Sequence, residues 1–267
     1  MLATITPLKY NPNRKYWGKT DGLINLKCSL DSLIHQPVIT EVFVVNYKPE
    51  SLAVDPQIEY IKEIYRNVEK VKIINITHGD YLLNQSWLIN MGLKAATSEF
   101  YMRADIDCIL EPNFSEKFTS DLVQRLREKE YFIADVKDEW SREFDWFGFK
   151  KEDFYSMCET APSRVNGNSH IICSLKTMKE IHGYDEHFQV WGGEDDDMNF
   201  RLQAFGIKAT RYPFVFMHQP HTHFLDYNYT EQEILETDKR WERLQDKRII
   251  KNLNGWGNLT GPMTNGG

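Results

Sequence analysis

The chain has 267 residues, a formal net charge of −7 at pH 7 and 41% hydrophobic residues. This length fits one large domain, or one domain with a small appendage. The hydrophobic content excludes a disordered chain, and the acidic balance excludes nucleic acid as the main partner, because phosphate binding needs clustered Lys and Arg.

The first half of the chain alternates apolar strand patterns with helical patterns. This alternation is typical of an α/β fold, in which a mostly parallel sheet is covered by helices. Residues 42–45 (V-F-V-V) form a short, fully apolar strand, and leucines recur at helical spacing from Leu23 onward. The predicted strands are 3–8, 42–45, 71–76 and 100–102, and the predicted helices are 23–34, 58–65 and 86–96.

The pattern changes after residue 107. Strands are predicted at 131–136, 171–175 and 212–217, and helices at 113–126, 175–181, 194–205 and 231–251. Residues 138–168 are mixed, polar and aromatic, and are predicted to form a loop or lid. The Gly-rich residues 252–267 are predicted to form a mobile tail. We therefore predict one domain at 1–225, followed at 226–267 by a C-terminal helix and this flexible tail.

Four cysteines occur without a C-x-x-C pair, which is too sparse for a disulfide framework or a thiolate zinc site. No window approaches the roughly 18 uninterrupted apolar residues of a membrane-spanning helix. The first residues have neither the basic region nor the apolar region of a secretion signal. We therefore expect a cytoplasmic protein with reduced cysteines, either free in solution or peripheral to a membrane.

The first candidate for chemistry is R-A-D-I-D at residues 103–107, an Asp-x-Asp pair at the end of an apolar strand. Ligands of open α/β sheets bind outside the carboxyl ends of the strands. Residues two apart on an extended backbone point the same way, so Asp105 and Asp107 can address one site. Two carboxylates suit a hard divalent cation such as Mn²⁺ or Mg²⁺, which would neutralise a diphosphate. An Asp-rich turn without any ligand is the alternative for this pair taken alone.

The second candidate is W-G-G-E-D-D-D at residues 191–197, a much rarer pattern. Glycines allow close approach to a ligand, and acids in a first helical turn are favoured by the helix dipole. Because successive helical residues lie about 100° apart, four consecutive acids cannot all point outward. At least one carboxylate should face the cleft, where it could accept a proton from an attacking hydroxyl. Trp191 would offer a flat apolar surface to a sugar, and a merely capped helix is the alternative.

The third candidate is a group of three histidines, His218, His221 and His223, just after the last predicted strand. Three histidines within six residues at a strand end indicate a ligand site more often than a single one does. His218 leaves the strand first and is the preferred ligand. His221 and His223 could equally be solvated.

The Asp-x-Asp at 105–107, the W-G-G-E-D-D-D at 191–197 and His218 together resemble the GT-A fold glycosyltransferases. The resemblance is to the β-1,4-galactosyltransferase group and to bacterial family 2 enzymes of capsule and polysaccharide synthesis, over residues 1–225. Residues 90–92 (N-M-G) resemble the N-x-G segment of these enzymes. The resemblance implies the GT-A fold, with a mostly parallel central sheet flanked by helices.

The resemblance also implies a role for each matching residue. Asp195 would be the catalytic base; Glu194, Trp191 and Asp196 would bind the acceptor; Asn46, Asn90, Arg103, Asp105 and Gly193 would bind the donor; Asp107, His218 and Asp105 would hold the metal. Two positions depart from the family pattern. Asn46-Tyr47 replaces the usual acidic pair after the second strand, and Ile89 replaces an Arg.

The reaction implied by this resemblance is a single displacement at the anomeric carbon with inversion, in which Asp195 deprotonates the acceptor hydroxyl. A Mn²⁺ or Mg²⁺ ion on Asp107 and His218 would stabilise the charge on the leaving diphosphate. The implied donor is a UDP-sugar that carries galactose or N-acetylgalactosamine, and the implied acceptor is a glycan. A retaining group of related fold also carries W-G-G-E, so the reaction type is better constrained than its stereochemistry.

Three other functions share parts of this pattern. A sugar nucleotidyltransferase would need a Gly-rich, basic loop after the first strand, and residues 7–11 (P-L-K-Y-N) contain no glycine. Loss of the base or of the metal carboxylates would favour a non-catalytic carbohydrate-binding protein on the same fold, and here both are present. A metal-dependent phosphohydrolase would need a denser cluster of His and Asp.

Overall fold

The computed structural model describes the chain at 1–9, 22–48, 50, 52–77, 82–138, 151–164, 169–190, 192–219 and 230–258. The strands are β1 (Leu2–Lys9), β2 (Ile39–Lys48), β3 (Val71–Thr77), β4 (Phe100–Arg103), β5 (Cys108–Leu110), β6 (Glu130–Asp138), β7 (Ile171–Ser174) and β8 (Lys208–His218). The helices are α1 (Gly22–Ile34), α2 (Pro56–Ile64), α3 (Gln85–Ala95), α4 (Phe114–Lys117), α5 (Ser120–Arg127), α6 (Lys151–Thr160), α7 (Leu175–Glu180), α8 (Glu194–Ala204), α9 (Glu231–Asp238) and α10 (Arg240–Arg243). Within these ranges no helix is long and apolar enough to cross a membrane. The cytoplasmic location stays a prediction.

The strands of the described residues form one sheet, in the order β3-β2-β1-β4-β7-β6-β8-β5. Strands β1 to β4 run parallel to one another, and β6 runs parallel to β8. Strand β7 is antiparallel to both β4 and β6, and β5 is antiparallel to β8. Strands β1 to β4, β6 and β8 therefore all end at one edge of the sheet, and β5 and β7 begin there. The predicted α/β class with a mostly parallel sheet is confirmed.

Helices cover both faces of the sheet. In β2, Val42 and Val44 pack in one hydrophobic cluster, and Phe43 and Val45 pack in another. The first cluster also contains side chains of α1, α2 and α5, and the second contains side chains of α3, α7 and α8. Alternate strand residues point to opposite faces, so a strand buried on both faces needs an unbroken apolar run.

Two predicted segments have a different structure in the middle of the chain. The helix predicted at 113–126 is two helices, α4 and α5, because Thr119 adopts extended backbone and its hydroxyl accepts a hydrogen bond from the Leu122 amide as a new N-cap. The predicted loop or lid at 138–168 contains α6. Phe154 of α6 is buried in a small apolar cluster with residues of β5 and β8. The remainder of that segment at 139–150 and 165–168 lies outside the described residues.

The helix predicted at 231–251 is also two helices, α9 and α10, and the second of them ends early, at Arg243. The Asp246 side chain accepts a hydrogen bond from the Arg248 amide at 3.1 Å, an arrangement that favours a turn over a continued helix. Lys251 is 2% exposed, and its ammonium lies 2.9 Å from the Asp246 carboxylate. The turn after the helix therefore places the positively charged Lys251 side chain in the interior of the protein.

Residues 252–258, predicted to begin a mobile tail, are bonded to the domain. The side-chain amide of Asn252 donates to the Tyr184 carbonyl at 2.7 Å, and Asn252 itself is 4% exposed. The predicted boundary at residue 225 and the end of the tail at 259–267 lie outside the described residues. The division into a domain and an appendage therefore stays a prediction.

Helix α8 is fixed from its inner face by Arg201, which is fully buried. The Arg201 Nε donates to Asp197 at 2.7 Å, and its terminal nitrogens donate to the carbonyls of Gly183 at 2.8 Å and Ile181 at 3.2 Å. The Lys251 ammonium lies 3.8 Å from the same Asp197 carboxylate. These contacts satisfy a buried guanidinium and attach α8 to the turn that follows α7.

Replacing Arg201 by Met is expected to lower the free energy of unfolding by about 3–5 kcal/mol, because Asp197 stays buried without its main partner. The measurement is urea denaturation of the full chain. The matched control is Lys62→Met, since Lys62 and its partner Glu59 are 51% and 56% exposed and such pairs contribute less than about 1 kcal/mol. Equal losses in the two variants would contradict the prediction.

Candidate active site

The candidate site lies at the edge of the sheet where β4, β6 and β8 end. Arg103 is the last residue of β4, Asp138 of β6 and His218 of β8, and the register pairs Asp138 with His218. Asp105 and Asp107 follow β4 in the turn that leads into β5. Because β5 then runs antiparallel to β8 from the level of His218, the Asp-x-Asp turn lies beside that histidine.

Arg103 joins the two acidic motifs. It is 2% exposed; its Nε donates to Asp105 at 2.9 Å, and both terminal nitrogens donate to one carboxylate oxygen of Glu194 at 3.3 Å. One of them also donates to the Gln85 side chain at 3.1 Å, at the start of α3. A guanidinium carries five donors in a planar fork, so one side chain can hold acceptors from several segments.

The buried charges around Arg103 shift the pKa of Asp105. Burial alone would raise that pKa, but the positive charge of Arg103 lowers it below the usual value. The His170 Nε2 accepts a hydrogen bond from the Asp105 amide at 3.4 Å, and burial lowers the pKa of His170 to about 4. Near neutral pH Asp105 is therefore ionised and His170 is neutral. Sequence reasoning missed His170, because a single histidine before a strand forms no motif.

The four acids that open α8 occupy different environments. Glu194 and Asp197 are buried, and each forms an ion pair with an arginine. Asp196 is exposed, and Asp195 is partly buried. The acidic run is therefore more than a solvated first turn, since two of its carboxylates neutralise buried guanidinium groups.

The surroundings of Asp195 strongly perturb its carboxyl group. Burial and the negative charge of Glu194 raise the pKa of Asp195 to about 7, against the opposing effect of Arg103. One carboxylate oxygen accepts a hydrogen bond from the Asp196 amide at 3.0 Å. A carboxylate with a pKa near the working pH can take up a proton and is suited to general base catalysis.

His218 lies between carboxylates from two strands. Its Nε2 is 3.9 Å from Asp107 Oδ2, and its Nδ1 is 3.1 Å from Asp138 Oδ1. Burial would raise the pKa of Asp138, but hydrogen bonds from His218 and Arg164 lower it to about 2. Sequence reasoning missed both Asp138 and Arg164. Their only signal is the position of Asp138 at a strand end.

Asp107 and His218 form a pair of donors that one divalent cation can bridge. Metal–ligand bonds of about 2.1 Å place two ligands roughly 3 to 4 Å apart, which fits their separation. A carboxylate and an imidazole together suit a cation such as Mn²⁺. In the described part of the chain, no group of three or more His, Cys, Asp or Glu side chains surrounds a common point.

Asn46, predicted to bind the donor, is fully buried near the end of β2. Its side-chain nitrogen donates to Asp55 at 3.0 Å and to Asn75 at 2.8 Å. Its side-chain oxygen has no hydrogen-bond partner among the described residues. Asn46 thus lies near the same edge of the sheet as the two acidic motifs, since β2 ends there beside β1.

Asn90, the second asparagine predicted to bind the donor, is also fully buried. Its nitrogen donates to the Tyr184 carbonyl and to the Glu186 carboxylate, both at 2.8 Å, and its oxygen accepts from the Tyr184 amide at 2.7 Å. These bonds attach α3 to the loop after α7. These bonds give Asn90 a supporting role, and its predicted contact with the donor stays a prediction.

Gly193, also predicted to bind the donor, is the N-cap residue of α8. Gly193 precedes α8 with φ +93°, and a Cβ at this position would lie 2.7 Å from the Phe188 ring, so no side chain fits. Trp191, His221 and His223 lie outside the described residues.

The fold is similar to that of S. aureus TarS. A crystal structure of TarS residues 1–349 matches with a TM-score of 0.54 and 17% identity, over 90% of this chain and 71% of that chain. A crystal structure of the same region in complex with UDP matches with the same TM-score and 18% identity, over 90% of this chain and 63% of that chain. The fold, with both acidic motifs at one edge of its sheet, is the GT-A fold that the sequence predicted.

In sequence, the chain is similar to galactosyltransferases. The family model described as the N-terminal domain of galactosyltransferase matches residues 160–224, which include the W-G-G-E-D-D-D segment and His218. β-1,4-Galactosyltransferase 2 of Mus musculus is 30% identical over 141 residues, which are 53% of this chain and 33% of that protein. Chondroitin synthase of Escherichia coli is 24% identical over 216 residues, which are 68% of this chain and 30% of that protein. The chain spans about a third of the length of these relatives.

Because the pKa of Asp195 is raised in the folded state, its ionisation is expected to lower the free energy of unfolding as the pH rises. Between about pH 4 and pH 7 the folded state holds a proton that the unfolded state has lost, so the free energy of unfolding falls across this window. Asp195→Asn removes the titrating carboxyl group and with it this pH dependence of the free energy of unfolding. We expect the variant to gain on the order of 1–3 kcal/mol over the wild type between about pH 4.5 and about pH 8.

Urea denaturation at the two pH values measures this gain. Asp121→Asn is the matched control, because Asp121 is an exposed aspartate on α5. The same pH-dependent gain in both variants, or none in Asp195→Asn, would show that Asp195 has an ordinary pKa.

Proposed function

We propose that this protein transfers a sugar from a UDP-sugar to a hydroxyl of a glycan acceptor, with a divalent cation and with inversion at the anomeric carbon. The proposed sugar is galactose or N-acetylgalactosamine. The observation that carries the proposal is the position of Arg103. It bonds to Asp105 of the Asp-x-Asp pair and to Glu194 of the acidic helix, and so holds both motifs in one site.

The comparisons support the choice of substrates. One of the similar TarS structures is a complex with UDP, which favours a uridine diphosphate donor. The name of β-1,4-galactosyltransferase 2 favours galactose as the sugar, and that of chondroitin synthase favours a glycan product.

In the proposed reaction the acceptor hydroxyl oxygen attacks the anomeric carbon of the donor while Asp195 takes its proton. The bond from that carbon to the diphosphate oxygen breaks, and UDP leaves with the electron pair. Direct displacement inverts the anomeric centre and needs no covalent intermediate on the protein. With a pKa of about 7, Asp195 is ionised in a large fraction of molecules and is still basic enough to accept the proton.

The other acidic residues have supporting parts in this proposal. Glu194, fixed by Arg103, would accept hydrogen bonds from hydroxyl groups of the acceptor sugar, and the exposed Asp196 would lie at the rim of the acceptor site. Asp107 and His218 would hold the divalent cation, with the ionised Asp105 beside them. When bound, the cation supplies positive charge that stabilises the developing diphosphate.

The first activity prediction concerns Asp195. Asp195→Asn is expected to lower kcat about 10²–10⁴-fold, because amide nitrogen and oxygen cannot take the hydroxyl proton. Donor affinity should change little, since the base acts on the acceptor. The measurement is UDP release from a panel of UDP-sugars with candidate glycan acceptors, together with calorimetry for donor binding.

The pH profile of the wild type and a control variant test whether the loss of activity is due to Asp195 itself. Wild-type kcat/KM should rise with pH until about pH 7 and then level off, as Asp195 becomes ionised. Asp121→Asn should keep wild-type activity. Binding of no nucleotide-sugar by the wild type would refute the proposal, and full activity of Asp195→Asn would refute the role of Asp195.

The second activity prediction concerns the cation. EDTA should abolish UDP release by the wild type, and added Mn²⁺ should restore it. His218→Ala should weaken Mn²⁺ binding by at least about tenfold. His35→Ala is the control, at an exposed histidine directly after α1, and should bind Mn²⁺ as the wild type does. Calorimetric titration with Mn²⁺ checks the affinities, and undiminished activity in EDTA would contradict the cation requirement.

A further inference from the structure

His218 is held on its Nδ1 side by two residues that have no part in the proposed reaction. Asp138 ends β6, and the parallel ladder pairs it directly with His218. The Asp138 carboxylate lies 3.1 Å from His218 Nδ1, and Asp138 is 8% exposed. The Arg164 Nε donates to the other oxygen of Asp138 at 3.1 Å.

We propose that Asp138 is a positioning residue of the cation site. Its carboxylate accepts the Nδ1 proton of His218, so the ring presents the Nε2 lone pair to the side where Asp107 lies. A neutral imidazole carries one proton, and a carboxylate beside one nitrogen draws the proton to that nitrogen. Such a partner fixes the ring and strengthens it as a ligand. This inference rests on the proposed role of Asp107 and His218 as cation ligands.

Arg164 is a second neighbour of His218 Nδ1, because its Nη2 lies 3.0 Å from that ring nitrogen. It would compete with Asp138 only if it donated a hydrogen bond to Nδ1. A guanidinium only donates, so it cannot bond to Nδ1 once that atom carries a proton. Its Nε and Nη2 both point at the Asp138 carboxylate, at 3.1 and 2.5 Å. This two-point contact orients the Asp138 carboxylate, which accepts the Nδ1 proton of His218.

Backbone hydrogen bonds fix the positions of both supporting residues. The Asp138 amide donates to the Pro162 carbonyl at 3.0 Å, and the Arg164 amide donates to the Val136 carbonyl at 2.7 Å. The segment that carries Arg164 is therefore bonded along the end of β6. The backbone pairing of β6 with β8 therefore places the side chains of Asp138 and His218 next to each other.

The test is the affinity of the full chain for Mn²⁺, followed by the electron paramagnetic resonance signal of the free ion. Asp138→Asn keeps the size of the side chain but removes its charge, and it is expected to weaken Mn²⁺ binding about 10–100-fold. Asp135→Asn is the matched control on the same strand, because the Asp135 carboxylate bonds to Ser163 and not to His218. The control should bind Mn²⁺ as the wild type does.

The outcomes separate this inference from the proposed function. Absence of Mn²⁺ binding by the wild type would overturn the cation site and this inference with it. Mn²⁺ binding by the wild type with equal affinity in Asp138→Asn would overturn only the role of Asp138. Thermal unfolding in EDTA shows whether each variant is folded.

A measurement on the wild type answers the same question if Asp138→Asn does not fold. In protein labelled with ¹⁵N-histidine and freed of metal, the ring nitrogen shifts report which nitrogen of His218 carries the proton. A proton on Nδ1 supports the role of Asp138. A neutral ring with its proton on Nε2 overturns it, because that nitrogen would then have no lone pair for a cation.

Discussion

The buried guanidinium of Arg103 is the contact on which the geometry of the candidate site depends. A buried charge costs several kcal/mol unless acceptors surround it, and Arg103 finds them on Asp105, Glu194 and Gln85. These acceptors come from the turn after β4, from α8 and from α3. Folding around one side chain therefore assembles motifs that lie far apart in sequence. The same positive charge keeps Asp105 ionised and limits the rise in the pKa of Asp195.

The buried face of α8 is also held in place by ion pairs and hydrogen bonds. Arg201 and Lys251 both meet the Asp197 carboxylate in the interior, and Arg201 also reaches backbone carbonyls of the turn after α7. Lys251 comes from the C-terminal part of the chain, which the sequence pattern places in a helix and tail. The position of Asp195 in the first turn of α8 thus depends on residues outside the candidate site, and the C-terminal part of the chain is one of the supports of this helix.

Much of the fold and part of the site follow from local patterns. Apolar runs such as 42–45 identify strands that are buried on both faces, and the acidic runs at 105–107 and 194–197 lie at a strand end and in a first helical turn, as their composition indicates. Helix α6 escaped prediction because its few apolar residues meet an apolar patch made by β5 and β8, which is visible only after the sheet has formed.

The sequence by itself determined the α/β fold class, and it supplied the candidates for the base and for the cation ligands, because these depend on residue type and on short periodicities. The tertiary structure alone decided which residues meet. Asn90 became a buried tie between α3 and a loop, and Asp138 and His170 entered the site by strand order and register. The physical reason is that burial and long-range pairing set the hydrogen bonds and the pKa of each group, and no local pattern encodes a partner that lies many residues away.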